Sequence, residues 1–171
     1  MNNNIFTNNT ALYGPNIGSY AVNVKVKDST QLKTTYDGIG SGLQEGLVIP
    51  LALYDHDNQI ILLDNVSKIV VKPKNTTATK VLGTDSIKVI NGVAIFNNLV
   101  LIGSPGSKNQ DFLSVSNAIN NEIMLKQYGW VPSANSFDIN FRSCKPGEFR
   151  SDNECIECTE GSYSLSWNSE R

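Results

Sequence analysis

A chain of 171 residues is long enough to bury a hydrophobic core without metals or cross-links, and 40 % apolar against 18 % charged residues argues for folding over charged disorder. A formal charge of −2, with no local Lys/Arg cluster, offers nothing suited to a phosphate backbone, which excludes nucleic acid as the expected partner. No apolar run reaches the roughly 18 to 20 residues of a membrane span, and "MNNNIFTNN" lacks both the basic start and the apolar stretch of an export signal.

In chain order, "SYAVNVKVKD" alternates apolar and polar residues at Ala21 or Val22, Val24 and Val26, the period of a half-buried strand. "LVIPLALYD", Leu47 to Asp55, is a more continuous apolar strand, in which Pro50 marks an edge position or a bulge. The polar turn "DHDNQ" follows, and then "IILL" and "SKIVVKP" read as two further strands. Ile87 and Val89 alternate ahead of Asn91-Gly92, a strong hairpin dipeptide, and strand character returns at Val93, Ile95 and Leu99 to Ile102. "DFLSVSNAI" is another strand, Asn121 to Tyr128 is compatible with a short helical turn, and "NSFDINFRS" alternates Phe137, Ile139 and Phe141.

Seven to nine strands without long helices predict an all-β fold, and the lack of helical crossovers predicts antiparallel pairing in a β-sandwich, with a barrel as the alternative. Charge marks a boundary near Arg142: Cys144 to Arg171 carries three basic against six acidic residues, whereas the preceding chain is balanced.

Few residues suit catalysis. The single histidine, His56, sits between two acids at a turn, and no nucleophile elbow, Walker loop or dinucleotide fingerprint surrounds any serine or glycine. Asp55, Asp57 and Asp64 flank one turn and could serve a carboxylate-based hydrolase or a Ca²⁺ site, but their spacing does not match the twelve-residue calcium loop. The expectation is a non-enzyme without cofactors. Asn8, Asn65 and Asn75 begin N-glycosylation sequons, which requires exposure if they are used.

All three cysteines lie in "CKPGEFRSDNECIECTEGSYSL". The Cys155-x-x-Cys158 spacing is shared by zinc knuckles, redox dithiols and disulfide modules. Zinc lacks a fourth ligand nearby, and a redox dithiol lacks the strand-to-helix context that lowers a thiol pKa. The Pro-Gly and polar turns between Cys144 and Cys155 can bring two strand ends within disulfide reach. "CTEGSYS" also echoes "CKPGEFR", with Cys, two residues, Gly, one residue and an aromatic in each.

This run resembles the cysteine-rich repeats of the ephrin-receptor-like class. Together with "LYGPNIGSYAV", "SGLQEGLVIPLALYDHDNQIILLDNVS", "NGVAIFNNLVLIGSPGS" and "FDINFRSCKPGE", it looks like the large surface proteins of ciliates, which join immunoglobulin-like or filamin-like β-sandwiches to such repeats. The resemblance implies an N-terminal strand region over residues 1–30, which could end a preceding domain, an immunoglobulin-like sandwich over 31–142, and a truncated repeat over 143–171. It further implies that Cys144 pairs with Cys155, that Cys158 is unpaired within this chain, and that the chain is a fragment. The expected function is a non-catalytic structural or adhesion module, on the extracellular side of the cell surface, with a protein or surface-glycan partner and no membrane insertion by this segment. A cytoplasmic scaffold with reduced cysteines is the alternative.

Overall fold

The computed structural model describes residues 20–29, 34–130 and 135–165. Asn8 and its sequon lie outside the described residues. The fold is all-β: twelve strands and one short helix among those residues.

Near the N-terminus are β1 (Asn23–Val26), β2 (Thr35–Ile39) and β3 (Ile49–Tyr54), followed by β4 (Lys68–Pro73), β5 (Lys80–Gly83) and β6 (Ser86–Lys88). Then come β7 (Val93–Phe96), β8 (Leu99–Ile102), β9 (Gln110–Ser116), α1 (Asn121–Tyr128), β10 (Asn135–Phe141), β11 (Glu148–Ser151) and β12 (Glu154–Glu157). A three-stranded sheet runs β1-β3-β7 and a five-stranded sheet β2-β10-β9-β4-β6, while β5-β8 and β11-β12 form separate two-stranded ladders.

The alternating strands turn their apolar residues into one core shared by both larger sheets. Val24, Leu51, Leu53 and Phe96 of the first sheet meet Ile69, Val71, Phe112, Phe137 and Ile139 of the second. Phe112 stacks on Phe137 at 6.0 Å, and Tyr36 meets the same ring edge-on at 5.9 Å, a geometry that adds to plain area burial. Ser114 Oγ of β9 crosses between the sheets and donates to the Val24 carbonyl of β1 at 3.3 Å. The strand expected in a separate N-terminal region thus pairs with β3 and packs in the common core.

Purely antiparallel pairing does not hold, because β2 pairs with β10 in parallel. A parallel pair needs a long crossover, usually a helix, but here the strands β3 to β9 supply it. Gly38, with φ of 74°, is the extra residue of a bulge in β2: Asn140 faces Asp37 while Phe141 faces Ile39.

Two other expectations also shift. Pro50 lies in the central strand of its sheet and not at an edge, opposite the end of β1, where its carbonyl accepts from Lys27 N at 2.8 Å. "IILL" is not a strand: Ile60 makes one bridge to Tyr54, Ile61 N reaches Leu53 O, and Leu62 and Leu63 stand exposed in the loop beyond. The Asn91-Gly92 turn forms, with φ of 50° and 76°, but it passes the chain from β6 in one sheet to β7 in the other. Asn120 caps α1 by accepting from Glu122 N and Ile123 N, and Met124 secures the helix by complete burial.

Candidate functional site: the disulfide-braced junction

The cysteine-rich segment folds as the hairpin β11-β12, with Arg150 opposite Cys155. Cys144 and Cys155 are bonded, sulfurs 2.06 Å and Cα atoms 5.3 Å apart, and both residues are buried. Cys158 is a free thiol of intermediate exposure. Lys145-Pro146-Gly147-Glu148 forms a turn closed by Glu148 N to Lys145 O at 2.9 Å, with Gly147 at φ of 90°. Thr159-Glu160-Gly161-Ser162 repeats it, with Ser162 N to Thr159 O at 2.9 Å and Gly161 at 85°. Positive φ at the third residue is the demand that places glycine in both, and it gives the echo between "CKPG" and "CTEG" a physical cause.

Burial of a disulfide in so small a hairpin requires a wall, and the strand domain provides one. Ser41, fully buried in the turn after β2, donates through Oγ to Asn153 O and accepts at the same oxygen from Gly103 N at 2.9 Å. Its carbonyl accepts from Cys155 N at 2.8 Å. One serine thereby ties the hairpin to two loops of the domain.

Arg142, just past β10, makes the second tie. Nη1 and Nη2 donate to the two carboxylate oxygens of Glu148, each at 2.8 Å, while Nη2 also binds Glu45 and Nη1 the Ser143 carbonyl. Glu45 turns back to accept from Gly40 N at 2.6 Å, and Lys145 Nζ lies 3.5 Å from its carboxylate. The bidentate geometry uses the planar fork of the guanidinium.

Arg142 and Glu148 have little access to water, whereas Glu45 and Lys145 are more open to it. The Arg142 bond holds the Glu148 carboxyl below its ordinary range, against the opposing effect of burial. For Glu45, burial pushes upward, but the Arg142 and Gly40 donors outweigh it and the net shift is also downward. Arg142 is pushed above its ordinary value, first by Glu148.

Cys144, Glu148 and Cys155 place ligand-type atoms within 4.8 Å of one another. The sulfurs are spent on each other and the carboxylate on Arg142, so the cluster is a brace and not a set of metal ligands.

The other candidate residues are spread apart. Asp55 is buried and accepts from Gln59 N at 2.8 Å within its own turn; His56 and Asp57 are exposed beside it. Asp64 serves a different turn, accepting from Val66 N, Ser67 N and Ser67 Oγ. Burial raises its pKa, yet these bonds bring it below the ordinary range. Among the described residues, these acids do not gather into a cluster of ligand atoms. Asn65 and Asn75 are both exposed on loops.

Sequence reasoning missed Ser41, Glu45, Arg142 and Glu148. Only Arg142, two residues before Cys144, and Glu148, six positions after Arg142, hinted at a pair. Among the described residues, no helix is long and apolar enough to cross a membrane. Comparison of the chain with protein-family models, with curated proteins and with solved structures finds no match.

Proposed function

We propose that this chain is a non-catalytic structural and interaction module of a larger cell-surface protein, an immunoglobulin-like β-sandwich continued by the first braced repeat of a stalk. The carrying observation is the buried Cys144–Cys155 disulfide fastened to the domain by Ser41 and Arg142. Disulfides of this structural kind persist in oxidising compartments, which supports the extracellular side of the membrane. Two strand layers sharing one core support the sandwich reading. The order of motifs resembling ciliate surface proteins is consistent with both.

A module that hands its orientation to the next one needs a joint without slack, and the clamp around Arg142 supplies several fixed bonds there. Partner recognition falls to the loops. Leu62, Leu63 and Val66 stand exposed beside Ile90, in two loops stitched together by Asn91 N to Asn65 Oδ1 and Gly92 N to Asp64 O. A rigid tip showing four large apolar side chains suits a protein or glycan surface.

Non-reducing mass spectrometry of protein made through a secretory route tests this reading. A Cys144–Cys155 link with one free thiol at Cys158 is expected, and three free thiols would favour the intracellular scaffold instead.

A further inference from the structure

Two sequons lie among the described residues, and the fold treats them differently. Asn75-Thr76-Thr77 sits in the loop between β4 and β5, with all three residues exposed. The backbone carbonyl of Asn75 accepts from Thr79 N at 2.9 Å and from Thr79 Oγ1 at 2.8 Å, and Thr79 is buried. That anchor turns the Asn75 side chain outward. Its Oδ1 then accepts from Thr77 N at 3.1 Å and from Thr77 Oγ1 at 2.6 Å. The hydroxyl that defines the sequon is held against the carboxamide that carries the modification, and both face water.

Asn65-Val66-Ser67 has the same signature with the opposite outcome. Asn65 Oδ1 accepts from Asn91 N at 2.9 Å and its Nδ2 donates to Leu63 O at 3.3 Å. Ser67 is only 7 % exposed, and its hydroxyl donates to Asp64 Oδ2 at 2.6 Å. The amide works as a stitch between loops, and its hydroxyl partner is sealed beneath them.

We propose that Asn75 is an N-glycan acceptor, and that the folded chain offers Asn75 and not Asn65; this rests on the extracellular reading above. The donor class is an oligosaccharide carried on a lipid diphosphate. The Asn75 amide nitrogen attacks the anomeric carbon, a C–N bond forms as the C–O bond to the diphosphate breaks, the lipid diphosphate leaves, and the transferring enzyme takes the amide proton. The sugar then stands five residues before Lys80, the first residue of β5, a strand that pairs with β8 in a two-stranded ladder, where bulk discourages edge-to-edge association.

The test has two arms. Chain secreted from a eukaryotic cell is mapped for glycopeptides, and unglycosylated folded protein is incubated with an oligosaccharyltransferase and its lipid-diphosphate donor. Full-chain glycan at Asn75 is expected in both arms, lost entirely in Asn75→Gln and Thr77→Ala and kept in Thr77→Ser. An unmodified Asn75 in the secreted protein, or transfer to Asn65 in the folded protein, overturns the proposal. If Asn75 stays bare while Cys144 and Cys155 are linked, the glycan inference alone fails; three free thiols overturn the extracellular reading itself.

Discussion

Phe112 and Phe137 stack in the buried middle of the strand domain, whereas at the hairpin the buried positions are two cysteines, a serine and Glu148, the last bound by a partly buried arginine that also holds Glu45. The domain has enough strands to surround an apolar core. The hairpin has two four-residue strands and leaves Ile156 40 % exposed. A unit that small cannot remove enough apolar area from water, at roughly 25 cal/mol per Å², to offset the entropy of ordering its chain. It is held instead by a covalent link and by polar bonds to a larger neighbour. The contrast teaches that a cysteine-rich tail can be rigid without a core of its own, provided that the domain before it supplies the wall.

The sharpest way to break the contrast is through the core. Phe137→Ala removes the ring that meets both Phe112 and Tyr36 and should cost about 3 to 5 kcal/mol. The expected reading is a lower denaturation midpoint for the whole molecule, hairpin included. Replacing Cys144 and Cys155 by serine should act locally, costing about 2 to 4 kcal/mol of hairpin stability. Hydrogen exchange should then speed up in β11 and β12 while β9 and β10 stay protected.

Arg142→Ala leaves Glu148 buried without its bidentate partner and should cost about 2 kcal/mol, again read at the hairpin amides. Acid should reach the same joint by another route. Glu45 and Glu148 have depressed folded values, so their contribution is full above the unfolded carboxylate pKa, near 4.3. It is lost as pH falls through the lower folded values. Raised Arg142 keeps its charge throughout. An exchange series from pH 7 down to pH 3 should therefore loosen the hairpin before the core. The smallest effect belongs to Lys74→Ala, which breaks a solvent-exposed pair with Asp111 and should change stability by less than about 1 kcal/mol in a denaturant titration.

Much of the domain was legible because period-two alternation is a local signal. Phe137, Ile139 and Phe141 read directly as the inner face of β10, and Asn91-Gly92 read as a turn. β2 was illegible because "TYDGI" carries an acid and a glycine, and only its pairing with β10 makes it a strand. "IILL" misled because a continuous apolar run carries no face, and the chain spends it on a loop. In the junction, the cysteines were visible, but what surrounds them was not. Arg142 meets Glu45 across 97 positions and Ser41 meets Asn153 across 112, separations that no local pattern encodes.

The central claim is that the hairpin and the strand domain move as one body. Amide ¹⁵N relaxation of the full chain measures this most directly. Order parameters and rotational correlation for β11 and β12 should match those of β9 and β10, the shared value following from Cys155 N on Ser41 O and the Arg142 clamp. Faster independent motion of the hairpin amides, with the disulfide intact, would contradict it.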